Sequence, residues 1–196
     1  MRKIANIALV LLAFTGCATA PASASREENN GPTANAPDIR VGDAWVDKVN
    51  GAEKTSTVTK TSEDTLTVNL WGTETVLTKE GNTLTGYSAF NRPISYSPYL
   101  DTFSFPLYPG KKWSSSWSWS GGGYRGNGST YGKAGTWENI SVPAGTFLAI
   151  RVDVTHSWES GSMTITYWYA PEVNRFVKYK GPLGSLELVT YRPAPR

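Results

Sequence analysis

Chemistry needs side chains that can accept a proton, attack a carbon or hold a metal, and this chain of 196 residues arranges few of them for it. His156 is its one histidine, so a site built on several imidazoles is not available. Asp153 stands three positions before it in the extended run Phe147-Leu148-Ala149-Ile150-Arg151-Val152-Asp153-Val154-Thr155-His156. Residues three apart in a strand face opposite sides, so the two do not read as a base and its orienting carboxylate. His156 shares the parity of Ile150, Val152 and Val154, and a packed strand histidine is the expectation. Asp43, Glu138, Asp153, Glu159 and Glu172 are carboxylates of the kind that glycoside cleavage uses in pairs, but that mechanism depends on a separation in space that sequence does not set. Gly121-Gly122-Gly123-Tyr124-Arg125-Gly126 satisfies the letter of G-x-G-x-x-G, yet Asn127-Gly128-Ser129-Thr130-Tyr131-Gly132 follows it. Such a stretch does not open the helix whose amides would bind phosphate, and it reads as a hairpin tip. Gly132-Lys133-Ala134 lacks the remaining parts of a phosphate-binding loop, and no G-x-S-x-G elbow is present. The expectation is no catalytic residue, no metal ligand and no cofactor: a protein that is not an enzyme.

The aromatic residues are more promising as binding groups. Eight Trp, ten Tyr and six Phe are present. Trp113, Trp117 and Trp119 alternate with serines, which puts three indoles on one face of one strand. Core packing is the first reading, because aromatic side chains bury large areas. The second is an exposed surface on which a ligand stacks, with Trp113, Trp117, Trp119, Tyr124 and Tyr131 as the candidate binding residues beside the glycine-rich tip.

The elements that must carry these residues are strands. From Val41 onward the chain is a series of short runs rich in Thr, Val, Trp and Tyr, punctuated by Gly, Pro and Asn. Eleven strands are expected, over 44–49, 55–60, 65–71, 74–79, 83–89, 113–120, 135–140, 147–157, 163–169, 176–180 and 185–191. Turns are expected at Asn50-Gly51, Gly81-Asn82, Ser160-Gly161 and Gly181-Pro182, where Asn and Gly supply positive φ angles. No segment has a helical period. The fold class is therefore all-β: one antiparallel domain, an open or half-closed barrel, with a β-sandwich as the alternative.

The only cysteine, Cys17, governs the address. Arg2 and Lys3 precede an apolar run from Ile4 to Phe14, and Thr15-Gly16 stand before the cysteine, which is the layout of a secretory signal. The run is too short to span a bilayer as a helix. The Gly-Cys junction resembles the lipobox of bacterial lipoproteins. That resemblance implies cleavage before Cys17, palmitate-type acylation of its new N-terminus, and, with Ala18 next, an outer-membrane destination. Simple secretion into the periplasm after Ala22-Ser23-Ala24 is the alternative. The organisation expected is a signal peptide at 1–16, a lipidated N-terminus and flexible tether at 17–40, and a β domain at 41–196. The tether is rich in Ala, Pro, Ser and Asn and poor in residues that build a core. Net charge falls from +3 to +1 once Arg2 and Lys3 are removed, leaving 17 basic against 16 acidic residues. The basic residues are scattered, so no nucleic-acid partner is expected. With no cysteine in the domain, it has neither disulfides nor thiolate metal sites.

Four stretches together resemble a group of uncharacterised bacterial envelope proteins: Gly42-Asp43-Ala44-Trp45, Pro106-Leu107-Tyr108-Pro109-Gly110-Lys111-Lys112-Trp113, Val142-Pro143-Ala144-Gly145-Thr146-Phe147, and Trp168-Tyr169-Ala170-Pro171-Glu172-Val173 with Val177-Lys178. Asn174 stands where that group has glycine. The resemblance implies a periplasmic all-β domain akin to the curved sheets of lipoprotein-carrier folds, and it brings no activity. Three functions follow as expectations. The first is binding of an apolar ligand such as a lipid; the second is a saccharide or peptidoglycan module; the third is a structural partner of an envelope protein that adds a strand to an exposed edge.

Overall fold

The computed structural model describes residues 31–87 and 92–195. The expected signal peptide, Cys17 and the first part of the expected tether lie outside the described residues. Twelve strands follow in chain order: β1 (Ala44–Val49), β2 (Ala52–Thr61), β3 (Thr65–Leu70), β4 (Thr73–Thr78), β5 (Thr83–Tyr87), β6 (Pro93–Leu100), β7 (Lys112–Gly121), β8 (Tyr124–Val142), β9 (Gly145–Trp158), β10 (Gly161–Ala170), β11 (Arg175–Gly181) and β12 (Gly184–Arg192). Each pairs antiparallel with the strands before and after it, and β1 pairs with β12, so the meander closes into a barrel. The barrel reading holds, and its closure is complete. Every strand has two neighbours, which removes the free edges that invite foreign strands.

The alternation in β9 behaves as its sequence predicts. Ile150, Val152, Val154 and His156 are buried on the inward face, while Arg151 is exposed. Phe147 and Ala149 lie on the other face and are buried too, packed with Ala170, Val173, Val177 and Leu188. The β8–β9 turn leans onto β12 there, with the Ala144 amide donating to the Leu188 carbonyl at 3.0 Å. Elsewhere the outer face is wet: Lys112, Ser114, Ser116, Ser118 and Ser120 of β7 are all exposed. An apolar inside and polar outside is the reverse of a membrane-spanning barrel.

Two strands depart from expectation. β6 was not expected at all, because Pro93 and Pro98 interrupt its run and prolines demote a strand. Its ladder to β7 spans only Ser95–Ser97 against Ser118–Ser120, so Pro98 falls beyond the paired stretch. β8 begins at Tyr124, eleven residues before the expected start at Gly135; the expected hairpin tip is confined to Gly122 and Gly123, with φ of 59° and 85°, and the glycines after it are strand. Asn50 and Gly51 adopt positive φ of 48° and 90° in the β1–β2 turn, as expected. Asn174 does the same after a single 3-10 turn, Pro171–Val173, with φ of 53°.

The segment 101–111 between β6 and β7 does not run over the surface. Phe103 and Leu107 are buried, and Phe103 lies against Phe105, Tyr167, Tyr169 and Phe176. Asn82 holds it there. Its amide group donates to the Phe103 carbonyl at 2.9 Å and its oxygen accepts from the Thr102 and Phe103 amides at 2.8 Å each. Lys111 Nζ donates to the carbonyls of Ser104 and Pro106. The entering chain joins the same end of the barrel: Ala34 and Leu107 exchange two backbone hydrogen bonds of 2.8 Å, and Trp137 Nε1 donates to the Pro32 carbonyl.

Candidate functional site

The three tryptophans of β7 stand on the inward face, and each meets a glycine of β8: Trp113 opposite Gly132, Trp117 opposite Gly128 and Trp119 opposite Gly126. A Cβ on Gly128 would lie 2.2 Å from the Trp117 ring, and one on Gly132 would lie 2.1 Å from that of Trp113. The glycines are thus the space into which the indoles lie down, a known use of glycine where another group approaches the strand closely. Trp117 is buried, with Tyr96 edge-on at 5.6 Å, and Trp113 and Trp119 are half-buried.

Between two of these glycines stands Thr130, also buried. Its Oγ1 accepts from Trp117 Nε1 at 2.9 Å and lies 2.9 Å from His156 Nδ1. Burial lowers the His156 pKa to about 4. The imidazole is therefore neutral at pH 7, and the tautomer sets which of Thr130 Oγ1 and His156 Nδ1 donates across their contact. Asp153 points away and accepts from Arg151 and from Thr166 Oγ1 at 2.6 Å. The sequence-level rejection of a His156–Asp153 pair agrees with this geometry. Of the other carboxylates, Asp43 accepts from the Arg40 and Ala194 amides, and Glu138 accepts from Trp168 Nε1. Among the described residues no group of three His, Cys, Asp or Glu side chains could hold a metal ion.

The five candidate binding residues do not form one surface. Tyr131 is half exposed and opposes Ser114 on the outer face, with its back to the tryptophans. Tyr124 is exposed at the end of the β7–β8 hairpin. A shallow hollow of about 400 Å³ near β6–β8 is lined by serines of β6 and β7 with Tyr96, Trp119, Arg125, Asn127 and Glu159, so Trp119 alone of the five reaches it.

The apolar concavity is elsewhere, inside the barrel. A cavity of about 270 Å³ is walled on one side by Val58, Leu66, Val68, Leu70 and Leu77 of β2–β4 and on the other by Phe103, Tyr167, Tyr169 and Phe176. Pro37, Ile39, Gly81, Thr102 and Asn174 place it at the end of the barrel where the chain enters. Trp45 closes its flank and donates Nε1 to the Val173 carbonyl at 3.0 Å, joining the first and last of the four sequence motifs. The lining aromatics were missed in the sequence because they are scattered over β1, β10, β11 and a connecting segment. The one available signal was the parity of Tyr167 and Tyr169 in β10.

Polar side chains also line this cavity, among them Ser56, Glu80, Thr83, Thr102, Asn174 and Arg175. Arg175 Nη1 meets Asp47 Oδ2 at 3.0 Å, with Asp47 fully buried and Arg175 nearly so. The guanidinium lies 5.4 Å from the Trp45 ring centroid and 4.7 Å from that of Phe176. Cation–π contacts of this kind help keep a charge in an apolar setting. Ser56 Oγ and Tyr169 Oη are buried with no hydrogen-bond partner. Burial pushes the phenols of Tyr167 and Tyr169 up, so both are neutral donors. Burial also raises Glu80, and secondarily the neighbouring Asp101 does so.

Fold and cavity define a closed twelve-stranded meander barrel with an apolar lumen. No family model and no curated protein matches the chain. Among solved structures it is similar to the hypothetical lipoprotein YmcC from Escherichia coli K12, with a TM-score of 0.52 and 12% identity over 79% of this chain and 86% of that one. It is also similar to a candidate lipoprotein from Parabacteroides distasonis (TM-score 0.44, 13% identity, 83% and 100% covered). A candidate exported protein with a YmcC-like fold from Bacteroides fragilis gives a TM-score of 0.45 at 14% identity, with 82% and 100% covered. The likeness to YmcC is one of fold.

Proposed function

We propose that this protein is a non-catalytic envelope lipoprotein, anchored to the outer membrane through an acylated Cys17, that holds a small apolar ligand of the lipid class inside its barrel. The observation that carries the reading is the cavity of about 270 Å³ between the aliphatic wall of β2–β4 and the aromatic group around Phe103. Ligand sites are concave, mostly apolar and furnished with a few placed polar groups, and this one lies just below the small end of their usual range. Thirteen residues separate Cys17 from Gly31, a reach of at most ~50 Å. Because the chain enters at the cavity's end of the barrel, an anchor at Cys17 keeps that end within reach of a membrane. A saccharide platform is left with Trp119 as the one β7 tryptophan on the outer hollow, since Trp113 and Trp117 do not line it, and strand addition draws no support from a sheet whose strands are paired on both sides.

The test is native and denaturing mass spectrometry on full-length protein extracted from its own envelope in mild detergent. The reading predicts an acylated N-terminal Cys17 and a further, dissociable mass in the lipid range. Acylation with no bound mass would move the weight to a structural role, and an unmodified N-terminus after Ala24 would remove the anchor.

A further inference from the structure

Two segments cross the end of the barrel where the cavity lies, and they are held unequally. Segment 101–111 is fixed by Asn82, itself buried, through three hydrogen bonds of 2.8–2.9 Å. The entering chain is pinned on either side of a short strap. Ala34 is buried and makes its paired bonds to Leu107; the Arg40 amide donates to Asp43 Oδ2 at 2.8 Å, and the Gly42 amide to the Val58 carbonyl at 2.9 Å. Between these pins the strap sets Pro37 and Ile39 on the cavity lining. Asn174, on the turn after β10, brackets Asp38 there: its Oδ1 accepts from the Asp38 amide at 3.3 Å and its Nδ2 donates to the Asp38 carbonyl at 3.2 Å. Resting on the cavity reading proposed above, we infer that residues 35–39 are the door through which the ligand passes, and that the Asn174 side chain is its latch.

The alternatives cost more. Entry through the wall parts strands that are hydrogen-bonded on both sides, and entry beneath segment 101–111 uncovers Phe103 and Leu107, both buried. Lifting the strap uncovers Pro37 and Ile39, which are already half-exposed, and breaks two long, solvent-exposed bonds. Segments with few buried contacts and exposed hydrogen bonds open at the least cost. The turn itself does not need asparagine. Residue 174 has φ of 53°, a conformation that glycine adopts without strain, so what asparagine adds is its amide group. A latch that holds the strap shut with and without ligand sets the rate of passage and leaves affinity alone.

The experiment is fluorine NMR exchange of fluorobenzene with the unacylated chain, residues 17–196, tether included. Asn174→Gly removes both bonds and keeps the turn; association and dissociation are each expected to quicken about fivefold, what two hydrogen bonds at the weak end of their range are worth together, with Kd unchanged. The Asp38 amide is expected to exchange its hydrogen faster by a similar factor, and the Ala34 amide at its wild-type rate. Asn174→Asp keeps the acceptor and tolerates the turn, so about a twofold quickening is expected, one bond's worth. A melting curve confirms that both variants are folded. Fluorobenzene rates unchanged in Asn174→Gly overturn the latch and spare the cavity reading, and so does a quickened Asn174→Gly beside an Asn174→Asp identical to wild type, which would lay the effect on glycine's backbone freedom. No uptake of fluorobenzene by any form overturns both.

Discussion

The two walls of this barrel solve the same packing problem differently. On the β7–β8 wall, three indoles lie over three glycines, so large and small are matched pair by pair across one ladder. On the β2–β4 wall, Val58, Leu66, Val68, Leu70 and Leu77 face the aromatic group around Phe103 across a gap. The conspicuous aromatic repeat is therefore the packed part of the molecule, and the unfilled space lies beside residues of ordinary size. Aromatic content alone did not locate the cavity. What located it was whether each large side chain has a small one opposite.

Substitutions can break this contrast, and the largest effect is expected at the charge pair flanking the cavity. Asp47→Asn leaves the Arg175 guanidinium buried without its counter-ion, and such losses run to about 4 kcal/mol. Urea unfolding should show it, and the double variant Asp47→Leu/Arg175→Met should recover most of the loss. A double variant as unstable as the single would mean that the charges are not what holds this corner.

Next comes the packed wall. Gly128→Ala drives a methyl to 2.2 Å from the Trp117 ring, which Thr130 and Tyr96 hold in place, and overpacking of this kind costs about 3 kcal/mol. Gly135→Ala is the matched control on the same strand, since its new Cβ meets nothing nearer than 3.5 Å. Equal midpoints for the two alanine variants in urea would dismiss the pairing of indole with glycine.

A smaller effect, confined to acid, is expected at His156. Its pKa in the folded protein, about 4, lies below the 6.5 of a free imidazole. Between those values the unfolded chain binds more protons, so stability rises with pH through the window and is lost as pH falls from 6.5 towards 4. The loss is at most roughly 3 kcal/mol at 1.36 kcal/mol per pKa unit. His156→Asn, which keeps a hydrogen-bonding group for Thr130, should flatten the stability profile between those pH values. An unchanged slope would assign the acid sensitivity to carboxylates instead.

Much of the fold was legible because period-2 alternation and Asn-Gly turns are local. β9 and its neighbours could be read from Ile150, Val152 and Val154, and the left-handed Asn50, Gly51 and Asn174 from residue type. What escaped depends on partners distant in sequence. Gly126, Gly128 and Gly132 look like a loop until a tryptophan is placed opposite each of them. Pro93 and Pro98 hide β6 because only a short part of that strand is paired on the β7 side. Asn82 reads as a turn residue, and its side chain's work on Phe103 joins positions 21 apart. The cavity was the least legible feature, since a void is defined by residues that fail to meet, and no spacing records that.

The most direct test of the account is to fill the cavity and ask whether the domain still takes up toluene. Leu70→Trp and Leu77→Trp each add bulk to the β2–β4 wall at half-buried positions that line the space. Calorimetric titration should show toluene binding to the wild-type protein and none to either filled variant that retains a cooperative melt. Undiminished uptake by a folded, filled variant would place the binding elsewhere and contradict the account.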